Sequence, residues 1–398
     1  MVDRERERRA TTLSLIAAES ASTAAVREAL GSVFDDKTAE GYPGHRYHRG
    51  TVVADELEML AVERARTVFG ADHANVQVHA GVNANVAVYR ALLRPGDPVL
   101  AMSLDHGGHL SHGARASITG SVYDFRHYGV RADTERIDYD EVRALAREHR
   151  PRLLIAGGSS YPRLIDYPLL REIADEVGAR LHVDMAHVAG LVAAGVIPSP
   201  LPHADFVTMT TYKTLLGPHG GLLLCRAEHA AAVDRAVFPG TQGAPSFAAI
   251  AAKAVCLGQA STPWFRGFME RIVAHAALLA DTLAGLGWRP VSGGTDNHMV
   301  LVDLRSKGMT GDVAEAKLEE AGLLANRNPI PFDPEPVSRT SGLRLGATGI
   351  ALRGLGSDEV VTVGRLIDGV LSGVVDPMAG RAEVERMARS FPLPDRPA

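Results

Sequence analysis

Residues 179–221 read ARLHVDMAHVAGLVAAGVIPSPLPHADFVTMTTYKTLLGPHGG. Two apolar runs, ARLHVDM and ADFVTMTT, have the length and β-branched content of buried strands. Upstream, PRLLIAGG reads as a third strand, and YPLLREIADEVGA between it and ARLHVDM has the apolar spacing of a helix. Strand, helix and strand in alternation predict a mostly parallel sheet covered by helices, an α/β fold. In such sheets the reactive loops follow the carboxyl ends of strands, so the residues just beyond VDM and TMTT are expected to line a cleft.

Working outward, LEMLAVERARTVFG predicts a helix, ANVQVH a strand, ANVAVYRALL a second helix and RPGDPVLAM a turn and strand. Beyond residue 250 a long amphipathic helical stretch, broken near STPWF, leads into Gly-rich VSGGTDNHMVLVDL, where a new strand begins. A boundary near Leu286 is therefore expected, with residues 1–285 forming an N-terminal arm and large domain and residues 286–398 a smaller α+β domain. The latter holds a helix at TGDVAEAKLEEAG, a Pro-rich loop at NPIPFDPEP and a helix at SDEVVTVGRLIDGVL, and the tail FPLPDRPA is expected to be loose.

Composition narrows the function. Lys and Arg number 42 against 47 Asp and Glu, which leaves no basic excess for a row of phosphates and argues against nucleic acid. Cys225 and Cys256 lie outside any CxxC or Cys/His cluster, so neither a disulfide framework nor a zinc site is expected and no metal is assigned. The start, MVDRERERRATT, lacks the apolar core of a signal peptide, and no apolar run approaches the ~20 residues of a membrane span. A soluble cytoplasmic protein without a membrane partner is expected.

Asp184 ends one strand and Lys213 lies in the loop after the next. Thr210, Thr211 and Thr214 around the lysine, with Gly217, Gly220 and Gly221 after it, offer hydroxyl and backbone donors to an anion. An amine can form a Schiff base with an aldehyde, and a strand-end carboxylate can keep a pyridine nitrogen protonated, a pair that suits pyridoxal phosphate. A solvated lysine and a structural aspartate would read equally well from these two residues alone.

The neighbouring blocks decide. LIAAES (15–20), AEGYPGHRYHRG (39–50), FGADHANVQVHAGVNAN (69–85), LDHGGHLSHG (104–113), VDMAHVAGLVAAGV (183–196), TTYKTLLGPHGGL (210–222), VFPGTQGAP (237–245), SGGTDNHMVLVDL (292–304) and TSGLRLG (340–346) together resemble the serine hydroxymethyltransferases, in the order of that family. The resemblance implies the aspartate-aminotransferase fold type, with a large seven-stranded sheet domain, a small C-terminal domain, and a homodimer, or a tetramer made of two such dimers, with active sites shared between chains. It implies pyridoxal 5'-phosphate as cofactor and tetrahydrofolate as cosubstrate. On this sequence it makes Lys213 the Schiff-base lysine and Asp184 the partner of the pyridine nitrogen. It stacks His106 on the cofactor ring and places His187 and Ser159 near the phenolic oxygen. Thr210 joins the catalytic group beside the lysine. The cofactor phosphate is expected at the backbone of Ala80, Gly81 and Val82, with Asn83 nearby, and at Gly243 and Ala244. Arg344 is expected to clamp the substrate carboxylate. Glu40 and Tyr47 are expected from the partner subunit, to handle the β-hydroxyl proton and the incoming aldehyde or folate, and Asn328 is expected at folate.

Several positions depart from the family pattern. Thr38 stands in KTAEGYPG where a tyrosine is usual, which opens room for a methyl group on the substrate α-carbon. Ala18 replaces a serine, Ala80 and Val82 replace two serines of the phosphate turn, Tyr212 a histidine, His48 a tyrosine, Arg49 a glycine and His219 an arginine. The cavity side of the pattern is thus rebuilt, with Thr38, Ala18, Tyr47 and His48 facing the substrate. The expected reaction is reversible making or breaking of the Cα–Cβ bond of a β-hydroxy-α-amino acid, on α-methylserine and D-alanine or on serine and glycine. The alternative is a folate-independent L-threonine transaldolase or aldolase.

Overall fold

Seven strands make the central sheet of the computed structural model, which describes residues 1–393; the end of the expected loose tail lies outside the described residues. In chain order they are β1 (His73–Asn75), β2 (Pro98–Met102), β3 (Asp124–Tyr128), β4 (Leu153–Ala156), β5 (Arg180–Asp184), β6 (Phe206–Thr210) and β7 (Gly221–Cys225). Their order across the sheet is β1-β7-β6-β5-β4-β2-β3. From β3 through β6 every pairing is parallel, and only β7 runs antiparallel to its neighbours. This is the mostly parallel α/β sheet of the aspartate-aminotransferase fold type.

Strand side chains alternate between two apolar cores. Leu154, Ala156, Leu181, Val183, Val207 and Met209 face one, while Leu153, Ile155, Phe206 and Leu223 face the other. A sheet buried on both faces needs a cover on each. Helices α1 (Val52–Phe69), α2 (Gly81–Leu92), α3 (Tyr139–His149), α4 (Tyr167–Val177), α5 (Phe247–Ala260) and α6 (Pro263–Gly285) supply it. Their starts are written locally: Asp138 accepts from the Asp140 and Glu141 amides, and Asp166 caps Leu169 ahead of Pro168. The break near STPWF is the gap between α5 and α6, where Thr262 caps the second helix.

Some elements differ from expectation. The strand read from ANVQVH stops at Asn75, because the next carbonyls are taken elsewhere: Lys253 Nζ donates to Val76 O at 2.7 Å and Val78 O at 3.0 Å, and the Gly221 amide also reaches Val78 O. Strand β3, with sequence DFRHY, is an edge strand whose polar side chains face out, so it carries little apolar pattern. Strand β7 is five buried residues directly after the lysine loop, too short a run to separate from it by pattern.

After α6 a second sheet of β8 (Arg289–Pro290), β9 (Met299–Asp303), β10 (Asn326–Asn328) and β11 (Gly342–Gly346) is antiparallel throughout, in the order β8-β9-β11-β10. Helices α7 (Gly311–Glu320), α8 (Ser357–Ser372) and α9 (Pro377–Ser390) accompany it. The first residues of the chain join these late elements: Leu13–Ser14 pairs in parallel with Leu323–Leu324, and helix Val2–Thr11 packs on α9. Among the described residues no helix is long and apolar enough to cross a membrane.

Candidate active site

Strands β5 and β6 lie side by side with Asp184 opposite Thr208. At the end of β5 the Asp184 carboxylate accepts from the Ala186 amide at 3.0 Å and from Asn85 Nδ2 at 2.8 Å, and its Oδ2 lies 3.2 Å from His112 Nε2. Asn85, on α2, is itself held by the Thr208 hydroxyl at 2.5 Å and donates to Ser111 Oγ. Burial alone would raise the carboxyl pKa. The His112 hydrogen bond, the nearby imidazoles of His112 and His109, and Asn85 outweigh it and hold Asp184 well below the usual range. The result is a buried carboxylate that stays charged.

Lys213 follows β6 in a loop that leaves it little freedom. Thr211 Oγ1 donates to Pro218 O at 2.6 Å, the Gly217 amide returns to Thr211 O at 2.7 Å, and Leu216 takes a positive φ of 61° to complete the turn. Thr214 Oγ1 donates to His187 O and receives from the Gly190 amide. Gly190 is required here, since a Cβ would lie 2.2 Å from Thr214 O. The Lys213 side chain is only 7% exposed, and among the described residues its amine makes no hydrogen bond. Burial pushes its pKa down to about 8, against the pull of Asp184 and with the help of Arg344. The stacked rings of Tyr212 and His219, 4.0 Å between centroids, stand beside it, with the amine 6.0 Å from the tyrosine ring.

The second sheet brings Arg344 to the same place. From β11 it donates through Nη1 to Ser159 O at 2.5 Å and through Nε to Asn326 Oδ1 at 3.2 Å, and burial lowers its pKa to about 10. Ser159 itself donates to Gly108 O. His187, buried on the turn after Asp184, is held far below its ordinary pKa by burial and then by Lys213 and Arg344. Ala18 follows Ala17, whose backbone presses on Gly346 at the end of the Arg344 strand. Asn328 sits on β10, with its side chain turned back to Pro329 O.

The expected phosphate turn is a close meeting of three backbones. A Cβ on Gly81 would come 2.7 Å from Thr210 Cγ2, and one on Gly221 would come 2.5 Å from Ala80 O. Helix α2 starts here without a side-chain cap at Ala80, so the first amides of Gly81 and Val82 are left for an anion. His79 ties this turn to the Gly243 loop: its amide donates to Gln242 Oε1, and its Nε2 lies 3.1 Å from Ala244 O. Thr210 donates to Ala186 O and so bridges the two strand ends.

His106 is not brought into the Asp184 network. Its Nδ1 accepts from the Val130 amide at 3.1 Å, its ring packs on Phe332, and its charged neighbours are Asp105 and Glu141. The second histidine of DHGGH occupies that place: His109 hydrogen-bonds Ser111 Oγ at 2.7 Å, and burial, Asp184, His112 and Lys213 together set its pKa, at about 4. His112, Asn85, Thr208, Asn326 and His298 are further members that sequence reasoning missed. Spacing within HGGHLSHG is the only local signal for the histidines. His109, His112 and Asp184 also lie close enough to share a cation, as do Asp205, Glu228 and His229, although Asp205 is already paired with Arg171 and Arg180.

Glu40, Tyr47, His48 and Thr38 gather around a hairpin, Gly41–Tyr42 paired with His45–Arg46. Its Glu40 amide donates to His48 Nδ1, the Glu40 carboxylate lies beside Gly243, and Tyr47 is 77% exposed with its ring edge on Phe238. Thr38 is exposed.

The family model described as serine hydroxymethyltransferase matches residues 1–367.

Proposed function

The chain belongs to the serine hydroxymethyltransferase family, and from that membership and its site we propose a pyridoxal-phosphate-dependent hydroxymethyltransferase acting on α-methylserine and D-alanine, or on serine and glycine, with tetrahydrofolate. The observation that carries the cofactor reading is a buried carboxylate kept charged, Asp184, near a buried amine with no hydrogen-bond partner among the described residues, Lys213. The donor set fits the group: an uncapped helix start and a glycine cradle at Gly81 for a phosphate, and Asp184 for a protonated pyridine. When bound, pyridoxal phosphate supplies an aldehyde that condenses with an amine and a ring that takes up the electron pair left on the substrate Cα.

Lys213, with its lowered pKa, offers a neutral nucleophile near physiological pH. Asp184 would accept the ring N–H and keep that proton in place. His109, which replaces His106 in this reading, would pack against the ring. Arg344, already immobilised by Ser159 and Asn326, turns its remaining guanidinium edge to the substrate carboxylate, a two-pronged match that lysine cannot make. Glu40 and Tyr47 complete the site from a partner subunit, where Glu40 moves the β-hydroxyl proton and Tyr47 guides the aldehyde or folate. Thr38, three residues before the same hairpin, leaves the volume of an aromatic ring open, which favours a methyl on Cα and therefore D-alanine over glycine.

The test is an absorption titration of the cofactor-loaded protein with glycine, D-alanine, L-serine and L-threonine, each with and without tetrahydrofolate. A long-wavelength band near about 500 nm, raised by D-alanine and strengthened by folate, is expected. A band raised by threonine and indifferent to folate would instead favour the transaldolase or aldolase, in keeping with His48 and Arg49 at the folate side.

A further inference from the structure

We infer that His298 is a positioning residue that fixes which nitrogen of His187 carries the proton, leaving His187 with an Nε2–H to donate to the cofactor's phenolic oxygen; the last clause rests on the cofactor reading above. His298 precedes β9 and is fully buried. Its Nε2 lies 3.2 Å from Ala17 O and 3.4 Å from His187 Nδ1, and the two rings stack with centroids 5.5 Å apart.

A carbonyl oxygen only accepts, so the contact with Ala17 places a proton on His298 Nε2. An imidazole nitrogen has one in-plane position, filled by a hydrogen or by a lone pair. His187 Nδ1 therefore faces an N–H and must present its lone pair, which leaves the proton of a neutral His187 on Nε2. The opposite assignment would put the proton of His298 on Nδ1. That atom is buried with no partner among the described residues, and the assignment would also turn the Nε2 lone pair toward the Ala17 oxygen. Both rings are neutral: burial first, then Arg344 and Lys213, lower His298 to about 3 against the opposing Ala17 hydrogen bond, and His187 is held well below its ordinary value.

The backbone on both sides of this relay is tied. Asn297 donates to Tyr161 O and accepts from the Met299 amide, while the Ala347 amide donates to His298 O. On the other side the Gly346 amide donates to Leu15 O, and Gly346 has no room for a Cβ, which would lie 2.5 Å from Ala17 Cα. The segment LIAAES thus reaches the chemistry through one carbonyl and two imidazoles.

The experiment is two-bond ¹⁵N–¹H correlation spectroscopy on histidine-labelled protein, with and without bound pyridoxal phosphate, the His187 signals being identified by their loss in His187→Asn. The expected result is a single Nε2–H tautomer for His187 in both states. Without cofactor, His298→Phe, which keeps a ring and removes the donor, should convert it to comparable populations of the two tautomers, and His298→Gln, which restores an N–H, should return it to one. An Nδ1–H tautomer in the unsubstituted protein, or an unchanged tautomer in cofactor-free His298→Phe, would overturn the inference. The unsubstituted spectrum decides even if the variants do not fold. Failure of the protein to take up pyridoxal phosphate, read by absorption, would sink the cofactor reading while the spectrum without cofactor still decides the role of His298.

Discussion

Replacing Asp184 by asparagine should make Lys213 a weaker base than it already is. Burial lowers the amine from an ordinary 10.5 to about 8, and Asp184 is the group that pulls it back up. At pH 7 a pKa of about 8 leaves about 9% of the side chain as free amine, against about 0.03% for an ordinary lysine, a gain of about 300-fold in nucleophile. Asp184→Asn keeps the shape and the contact with the Ala186 amide while removing the negative charge, so the Lys213 midpoint should fall below 8. Each tenfold gain in free amine corresponds to about 1.4 kcal/mol of lost attraction. Competitive acetylation of the cofactor-free protein over a range of pH, read by mass spectrometry of the Lys213 peptide against a free lysine peptide, measures the midpoint directly. A native midpoint near 10.5, or an upward move in Asp184→Asn, would refute the electrostatic reasoning. The same variant should also bind pyridoxal phosphate without protonating its ring, so its substrate-dependent long-wavelength absorption should vanish.

Thr38→Tyr should shift the preferred amino acid from D-alanine toward glycine, as measured by the ratio of kcat/KM values; an unchanged ratio defeats the steric argument. Arg344→Lys exchanges a fork for a point charge, and with charge-assisted hydrogen bonds worth ~1.5–3 kcal/mol the amino-acid KM should rise by about 10- to 150-fold at an unchanged melting temperature. His109→Ala should raise the pyridoxal phosphate Kd in equilibrium dialysis by about 2- to 13-fold, from ring packing worth ~0.5–1.5 kcal/mol, whereas His106→Ala should leave it unmoved. Lys253 is buried with its pKa pushed down to about 7 by desolvation. Between that value and 10.5 the unfolded chain binds a proton that the folded chain does not, so stability rises with pH through this window, by at most ~1.4 kcal/mol per pH unit. Urea unfolding at pH 7 and 9 should show that rise flattened in Lys253→Met, together with a loss of about 1–3 kcal/mol for the Val76 carbonyl left without a donor, while Val78 O keeps the Gly221 amide.

What could be read from the sequence follows from how local each signal is. Strands β4, β5 and β6 announce themselves because they are buried on both faces and bounded by turns, and a parallel sheet then forces Asp184 and Lys213 to one edge. The hydrogen-bonding cast around them is invisible to pattern. Asn85 sits inside the apolar rhythm of α2 and Thr208 inside that of β6, and only the register between strand and helix turns them to the carboxylate. The motif DHGGH offers two histidines, and choosing between them needs the turn at Gly107, which takes a φ of 111°, and Gly108, where a Cβ would lie 2.3 Å from Met102 O. Helix α9 went unread because its apolar positions are few and its surface is laced with arginine and glutamate pairs. The pairing of Leu13–Ser14 with Leu323–Leu324 joins residues with no local pattern in common.

That last pairing is completed by Arg353, whose guanidinium donates to the carbonyls of Arg9 and Thr12 at one end of the chain and of Ala388 and Phe391 at the other. Thr12 and Arg353 are 341 residues apart. On the ribosome residues 9–12 must therefore wait, unclasped, for Arg353, although the strands that position Asp184 and Lys213 are finished long before. One guanidinium thus fastens residues 9–12 to residues 388–391.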